Sequence, residues 1–313
     1  MSVSASVVIP VHRVGPRLQA CLEALRKQDA VSPEIVITLD GRVELPPQLA
    51  SLADKVVEGP GTGPAGARNR GFKAASGSLI LFTDSDCVPE PGWAGALAGA
   101  LEAGADGVKG VYSGGGRKLI QRLAQVEFEQ RYEMLARRES VDLVDTYSAG
   151  FRREALEAVG GFDESFPAPD NEDVDLSWRL CRAGYRLVFT REARVSHEHR
   201  PSWAAYFGLK LSRGRWRMKA LRKFPGKAIS DSYTPLSVKA QVLLAGALLP
   251  VLAATPFLPA LGALWLLAFL ASCVPLTAVA LRTDARVAPA VPLFSMVRGT
   301  ALLAGTIRGL GGA

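Results

Sequence analysis

The stretch GTGPAGARNRGFKAASGSLILFTDSDC, residues 61–87, is the part of the sequence that decides the fold. A glycine-rich loop opens it and a helix-like segment follows. Next comes a short apolar run, residues 78–83, and directly after it lie two aspartates, Asp84 and Asp86, with one residue between them. A buried strand that leads directly into acidic residues is typical of the carboxyl edge of a parallel sheet, where ligands bind. The stretch therefore predicts a helix and a central strand with a candidate site at the strand's end.

The segments on either side of this stretch extend the same pattern. Short apolar runs predict further strands at residues 6–11, 34–39, 55–58, 107–111, 148–151 and 185–195. Amphipathic or charged periodic segments predict helices at residues 17–28, 68–75, 93–103, 119–138, 154–159 and 172–183. Strands that alternate with helices indicate an α/β fold with βαβ units and a mainly parallel sheet.

Charge and hydropathy are unevenly distributed along the 313 residues. The net charge is +7, much of the excess lies between residues 210 and 227, and no charged side chain occurs from residue 240 to residue 281. A basic segment suits nucleic acid or an anionic membrane surface, and the neighbouring apolar run favours the membrane. Because no nucleic-acid-binding motif accompanies the basic segment, we expect no nucleic-acid partner.

The apolar C-terminal part predicts a membrane hairpin. Residues 242–258 and 260–281 are each close to the length of a span, and prolines separate them. Basic residues flank both ends, and the N-terminus lacks the pattern of a signal peptide. We therefore expect a multi-pass protein of the inner membrane with a cytoplasmic catalytic domain. Residues 287–307 are also apolar but contain Arg298, so they predict an interfacial or packed segment or a third membrane segment.

The glycine loop alone would suggest dinucleotide binding. Gly61, Gly63 and Gly66 spell G-x-G-x-x-G, with an acidic residue about twenty positions later. In dinucleotide-binding folds this motif follows the first strand of the sheet, whereas here it follows the third. Pro64 also removes an N–H group from the loop. The dinucleotide interpretation is therefore disfavoured.

The D-x-D sequence after the central strand predicts a divalent-cation site. Asp84 and Asp86, with Ser85 between them, can bind one hard cation directly or through water. Mg²⁺ or Mn²⁺ held there would neutralise charge on a departing diphosphate. An exposed acidic turn, with Asp84 capping the next helix, is the structural alternative.

Taken in order, these motifs resemble the inverting family 2 glycosyltransferases. The similarity is carried by the block 63–87, the opening strand SVVIPVH at 6–12, the turn at 36–41, GGFD at 160–163 and NEDVDLSWRL at 171–180. It covers about residues 5–200 and implies a GT-A fold. It also implies transfer of a sugar from a nucleotide-sugar to an acceptor hydroxyl, with inversion at the anomeric carbon.

The resemblance also implies roles for individual residues. Nucleotide-binding positions would be Pro10, Asp40, Arg68, Asp84 and Ser85. The metal ligands would be Asp86, Asp84 and His197, while His199 is a weaker candidate. Two departures from the family pattern, His12-Arg13 in place of Tyr-Asn and Leu39 in place of an aspartate, leave base selectivity open.

The acidic pair Glu172 and Asp173 is the candidate catalytic centre. Acidic residues are common in the first turn of any helix because they offset its N-terminal partial charge, so position alone favours a structural role. The resemblance to family 2 implies instead that the pair holds the catalytic base. We therefore expect Asp173 to be the base and Glu172 to contact or orient the acceptor hydroxyl.

These observations predict three regions and leave two alternative functions open. Residues 1–204 would form the catalytic domain, 205–235 a basic amphipathic interfacial helix and linker, and 236–313 the membrane part. The acceptor would be lipid-linked or a glycan of the cell envelope, and the protein itself would contact a membrane surface with anionic lipids. A nucleotidyltransferase acting on a sugar phosphate and a non-catalytic membrane scaffold are the alternatives.

Overall fold

A computed structural model describes residues 4–167 and 170–312. The chain forms two compact units: Met1–Gly114 with Leu135–His197, and Gly115–Met134 with Glu198–Ala313. The predicted catalytic domain is continuous from residue 1 to 204, whereas the structure groups residues 115–134 with the C-terminal unit. The reason is that the apolar face of this helix packs into the core of the C-terminal helices.

The first unit is built on a mixed sheet to which the described residues contribute eight strands. They are β1 (Ala5–Val11), β2 (Glu34–Asp40), β3 (Lys55–Gly59), β4 (Leu79–Thr83), β5 (Val88–Pro89), β6 (Gly107–Gly115), β7 (Ser148–Arg152) and β8 (Leu187–Glu198). Their order is β3-β2-β1-β4-β7-β6-β8-β5. Strands β1 to β4 are parallel, β7 runs antiparallel to β4 and β6, and β5 antiparallel to β8. The predicted α/β architecture is confirmed.

The helices of the first unit follow the strands. They are α1 (Leu18–Arg26), α2 (Pro47–Ala50), α3 (Pro64–Ala74), α4 (Trp93–Glu102), α6 (Arg153–Ala158) and α7 (Glu172–Arg182). Helix α3 begins four residues earlier than predicted because Pro64 occupies a first-turn position, where its missing N–H costs no hydrogen bond. The glycine loop therefore leads directly into a helix N-terminus.

The register of the sheet brings the ends of three strands to one edge. Strand β1 pairs with β2 at Val11↔Leu39 and with β4 at Val8↔Phe82. As the three strands are parallel, Asp40 and Asp84 lie at the carboxyl edge on either side of β1. This is the edge at which open α/β sheets bind ligands.

The second unit consists of α5 (Leu119–Leu135), α8 (Trp203–Lys223), α9 (Leu236–Ala254), α10 (Pro259–Thr283) and α11 (Val291–Leu310). Its apolar core includes Leu123, Phe269, Leu276 and Phe294. In the described part of the chain, three helical segments are long and apolar enough to cross a membrane: Leu236–Ala254, Pro259–Thr283 and Ala285–Leu310.

Candidate active site

The glycine loop is held in place by Asp40 at the end of β2. The Asp40 carboxylate accepts hydrogen bonds from the backbone N–H groups of Thr62 (3.1 Å) and Gly63 (2.9 Å) and from Arg70 Nη2 (2.6 Å). Gly61 and Gly63 have φ values of 86° and 85°, in the region that favours glycine. The structure thus shows a loop-anchoring role for Asp40, and its predicted contact with a nucleotide base stays a prediction.

Arg68 on α3 joins the D-x-D turn to the acidic pair of α7. Its Nη2 donates to Asp84 Oδ1 at 2.9 Å and its Nη1 donates to Glu172 Oε1 at 2.7 Å. Arg68 and Glu172 are buried, whereas the Asp84 side chain retains 35% of its exposure. Burial alone would lower the pKa of Arg68, but the two carboxylates outweigh it and raise that pKa. The guanidinium therefore brings both predicted motifs into one site.

The donors beside the D-x-D turn suit a divalent cation. One ligand atom from each of Asp84, Asp86 and Cys87 lies within 4.8 Å of the others, and His197 Nε2 is 3.6 Å from Asp86 Oδ2. The Asp86 side chain is 64% exposed, so desolvation opposes its ionisation only in part, and hydrogen bonding and charge from His197 lower the carboxyl pKa. Two carboxylates and an imidazole form a donor set compatible with Mn²⁺. Asp84, Asp86 and His197 therefore fit the predicted ion.

Cys87 belongs to this cluster but is a poor ligand. Its thiol is buried, and desolvation, followed by the charges of Asp84 and Asp86, raises its pKa well above the ordinary range. A thiol binds a metal as the thiolate, which this environment disfavours. The oxygen and imidazole donors remain the better set.

Asp173 is placed at the start of α7, next to Glu172. Asn171 precedes the helix with φ 68°, a left-handed conformation that asparagine tolerates better than most residues. Desolvation, followed by the charges of Glu172 and Asp145, raises the Asp173 pKa well above its ordinary value, although Arg68 opposes the shift. A carboxyl group with a raised pKa is a stronger base once it has lost its proton. These surroundings suit the role that the sequence predicts for Asp173.

The structure also adds residues that the sequence did not indicate. Lys109, fully buried on β6, forms an ion pair with Asp145 and donates to the Tyr147 hydroxyl at 3.1 Å. Tyr112 stacks against Tyr147 with a centroid distance of 3.5 Å and against His197 at 4.6 Å. A row of buried and half-buried polar groups and rings thus leads from Asp145, whose charge acts on Asp173, to the predicted metal ligand His197. A lysine within an otherwise apolar strand is the signal that could have revealed it.

The remaining predicted site residues are Pro10, Ser85 and His199. Pro10 is half-buried near the end of β1, and Ser85 is half-buried within the D-x-D turn. His199 belongs to the C-terminal unit, where its Nε2 lies 2.9 Å from Gln125 Oε1 and its ring stacks on Phe128. His199 therefore has a packing role in that unit.

Comparisons with known proteins identify the family of this chain. Residues 6–160 match the family model described as Glycosyl transferase family 2. The chain belongs to this family. The matched region contains the glycine loop, Arg68 and the D-x-D turn, while α7 with Glu172 and Asp173 follows it. The resemblance predicted from the motifs is thereby confirmed.

Curated relatives of this family 2 chain include two bacterial proteins. Pre-mycofactocin glycosyltransferase of Mycobacterium tuberculosis (strain CDC 1551 / Oshkosh) is 28% identical over 260 residues, covering 79% of this chain and 52% of the relative. Succinoglycan biosynthesis protein ExoA of Rhizobium meliloti (strain 1021) is 27% identical over 252 residues, covering 76% of each chain. The chain thus spans about half the length of the mycobacterial relative.

A solved structure identifies the fold of this family 2 chain. The mannosyltransferase PcManGT from Pyrobaculum calidifontis, in complex with GDP-Man and Mn²⁺, has a TM-score of 0.62 and 18% sequence identity. The alignment covers 99% of this chain and 88% of that protein. The predicted GT-A fold is confirmed.

Proposed function

We propose that this chain transfers a sugar from a nucleotide-sugar to an acceptor hydroxyl by a metal-dependent, inverting single displacement. The observation that carries the proposal is the pair of contacts made by Arg68. One guanidinium binds Asp84 of the D-x-D turn and Glu172 of the acidic pair, at 2.9 and 2.7 Å. In a displacement reaction, the groups that activate the donor and those that activate the acceptor have to lie close to one another. The shared contact with Arg68 supports such a placement for the D-x-D turn and the acidic pair.

In this proposal Asp173 accepts the proton of the attacking hydroxyl. The hydroxyl attacks the anomeric carbon from the face opposite the diphosphate, and a carboxylate within hydrogen-bonding reach removes its proton. Glu172 would contact or orient the acceptor hydroxyl. Its Oε1 is fixed by Arg68, and its buried Oε2 has no hydrogen-bond partner among the described residues. That second oxygen is a candidate acceptor of a hydrogen bond from substrate.

The donor would be bound at the carboxyl edge of the sheet. Asp86, Asp84 and His197 would hold the divalent cation, and Pro10, Asp40, Arg68 and Ser85 would bind or position the nucleotide. When bound, Mn²⁺ or Mg²⁺ would neutralise negative charge on the leaving diphosphate. The P. calidifontis mannosyltransferase, which shares the fold, was solved with GDP-Man and Mn²⁺, so guanosine donors belong in the first screen.

The acceptor in this proposal is lipid-linked or part of the cell envelope, and the catalytic unit is cytoplasmic. Two features support it: the long apolar helices and the seven lysine and arginine residues of α8, which favour an anionic membrane surface. The succinoglycan biosynthesis protein among the relatives agrees with a polysaccharide pathway. Holding the site at the membrane would raise the effective concentration of a lipid-linked acceptor.

Nucleotide release by the full-length protein tests the proposal. Purified protein in lipid nanodiscs would be given UDP-, GDP- and dTDP-sugars with a panel of lipid-linked acceptors, with Mn²⁺, with Mg²⁺ or with chelator. We expect release of one nucleoside diphosphate that requires both metal and acceptor. Asp173→Asn should reduce transfer by about 10²- to 10⁴-fold while nucleotide still raises the thermal midpoint. Exposed Asp29 supplies the matched control, Asp29→Asn, which should behave like the parent.

Two results would contradict this function. A folded parent protein that releases no nucleotide across the donor and acceptor panel would argue against transfer. A product that retains the anomeric configuration of the donor, determined by NMR, would exclude the single displacement.

A further inference from the structure

The third apolar helix differs from the other two in its surroundings. Ala285–Leu310 has the length and apolar composition of a membrane span, with a mean hydropathy of 1.5. However, 44% of its most apolar window is buried inside the protein, compared with 17% for Leu236–Ala254 and 28% for Pro259–Thr283. Within its own unit, this segment is covered by protein to a greater extent than the other two.

Arg298 shows what kind of protein surface α11 contacts. The side chain is fully buried in the middle of the helix, with Nη1 3.4 Å from Glu127 Oε1 and Nη2 donating to Gln241 Oε1 at 2.7 Å. Glu127 of α5 also accepts from Lys210 Nζ and from the Tyr206 hydroxyl, each at 2.8 Å. A charged group could still occur in a span if it faced protein, so Arg298 alone does not decide the position of α11.

The contact between α8 and α11 supplies the second observation. A Cβ atom added to Gly305 would lie 2.1 Å from the Leu211 carbonyl oxygen, and one added to Gly309 would lie 2.5 Å from that of Arg215. At the other end of the pair, the rings of Tyr206 and Phe294 are 4.9 Å apart. Small residues let two helix backbones approach closely, so α8 and α11 pack side by side along most of their length.

Helix α8 cannot lie in hydrocarbon. It contains seven lysine or arginine residues and no acidic residue within Trp203–Lys223. Lys210 is paired with buried Glu127, but exposed Arg215 and half-buried Arg213 and Lys219 would be costly at the centre of a bilayer. Only residues near the ends of the helix can extend to the interface. A helix in backbone contact with α8 has to lie at a similar depth.

We infer that α11 does not cross the membrane, and that α8 and α11 lie together as a two-helix layer on the membrane surface. The exposed side chains suit a lipid interface. Leu293 is 59% and Ile307 60% exposed on α11, and the cations Arg215 of α8 and Arg308 of α11 are also exposed. Aliphatic side chains would enter the acyl boundary and the cations would contact anionic headgroups.

This arrangement has a consequence for topology. With α11 at the surface, the residues immediately before it and after it lie on the same side of the membrane. The same side also carries α8. A crossing α11 would instead place its two ends on opposite sides.

Cysteine labelling of the full-length protein in native membrane vesicles tests this inference. The variants are Arg286→Cys before α11, Gly311→Cys after it, and Arg215→Cys on α8, all at exposed positions. A membrane-impermeant maleimide would be applied to right-side-out and inside-out vesicles, and the parent with its native cysteines gives the background. We expect all three introduced cysteines to react in the same vesicle orientation.

Labelling of positions 286 and 311 from opposite sides would overturn the inference. Variants that fail to accumulate in membranes can be replaced by a reporter fused after residue 312, compared with the same reporter fused before residue 5. The hairpin contributes an even number of crossings in either case. If α11 does not cross, the two reporters should be on the same side of the membrane, and if α11 crosses they should be on opposite sides. Both readouts are independent of sugar transfer, so the proposed function can fail without affecting this result.

Discussion

At the scale of single residues, the site depends on buried charges that neutralise one another. Arg68 is 3% exposed, and its two carboxylate partners come from the D-x-D turn and from α7. Removing one partner of a buried ion pair leaves the other charged and desolvated, which costs more than the pair itself contributes. Arg68 is therefore expected to stabilise the fold as well as the site.

Replacing Arg68 should reveal this cost. Arg68→Met leaves buried Glu172 without its guanidinium, and we expect the free energy of unfolding to fall by about 3 to 5 kcal/mol. Arg26→Met is the matched control, because the Arg26–Asp54 pair is 34% and 43% exposed and such pairs contribute roughly 0 to 1 kcal/mol. Denaturant unfolding of both proteins in detergent gives the comparison. Equal losses for the two variants would show that the Arg68 contacts add no special stability.

The pH dependence of transfer should report the surroundings of Asp173. Desolvation and the negative charges of Glu172 and Asp145 raise its pKa, and a general base acts only when deprotonated. The rate should therefore fall as the pH decreases through this raised pKa. Asp145→Asn removes one of the raising charges, so the acid limb of kcat/KM should move to lower pH. Asp29→Asn should leave the limb in place, and an unchanged limb in Asp145→Asn would contradict the electrostatic role of Asp145.

At the scale of elements, the turn before α3 determines the geometry of the glycine loop. Gly63 caps the helix with φ 85°, and a Cβ atom there would lie 2.9 Å from the carbonyl oxygen of Pro167. The loop N–H groups are at the same time bound to Asp40. Glycine is required at position 63 by both backbone conformation and space.

Gly63→Ala should therefore disturb the loop. A non-glycine residue in a left-handed conformation costs of order 1 to 3 kcal/mol, and the close carbonyl adds to it. We expect lower stability together with weaker nucleotide binding, measured by denaturant unfolding and by nucleotide-induced thermal shift. Gly99→Ala is the control, because Gly99 lies within α4, is exposed and has no atom within 4 Å of the added Cβ. That change should raise stability by about 0.5 to 1 kcal/mol.

At the scale of the whole molecule, the α9–α10 hairpin carries the most exposed apolar surface of the three candidate membrane segments. Leu249 is 75% exposed, Leu264 63% and Phe257 84%, and no charged residue interrupts the sequence between Lys239 and Arg282. An exposed apolar surface of this extent marks an interaction site with protein or membrane, and the length and hydropathy of the two helices favour the membrane. The hairpin is therefore the part expected to enter the hydrocarbon.

Charges placed on the hairpin should weaken membrane association. Leu249→Asp combined with Leu264→Asp introduces two acidic groups that each cost about 2.5 to 3.5 kcal/mol near a bilayer centre. We expect a larger fraction of this variant to leave the membrane on alkaline washing, measured by immunoblotting of pellet and supernatant. Leu119→Asp at the start of α5 is the control: its residue is 43% exposed, and an acid is favoured at a helix N-terminus. Equal retention of both variants would show that these leucines do not contact lipid.

Much of the architecture was predictable because it depends on local pattern. The buried runs at β1, β2 and β4 and the acidic residues after them are consecutive in the sequence, so strand periodicity and motif order were sufficient to predict the sheet and its binding edge. The role of Lys109 was missed because a lysine in an apolar strand shows that a buried charge needs a partner but does not show which residue that partner is. Its pairing with Asp145, 36 residues away, depends on how β6 packs beside β7.

The sequence by itself determined the α/β class, the D-x-D turn, the acidic start of α7 and the apolar C-terminal segments, because each follows from neighbouring residues. Only the tertiary structure decided which charges neutralise one another: Arg68 with Glu172, 104 residues apart, and Arg298 with Glu127. It also decided that α5 packs with the C-terminal helices. The physical reason is that a buried charge requires a partner wherever packing can supply one, and long-range packing is not encoded in any local pattern.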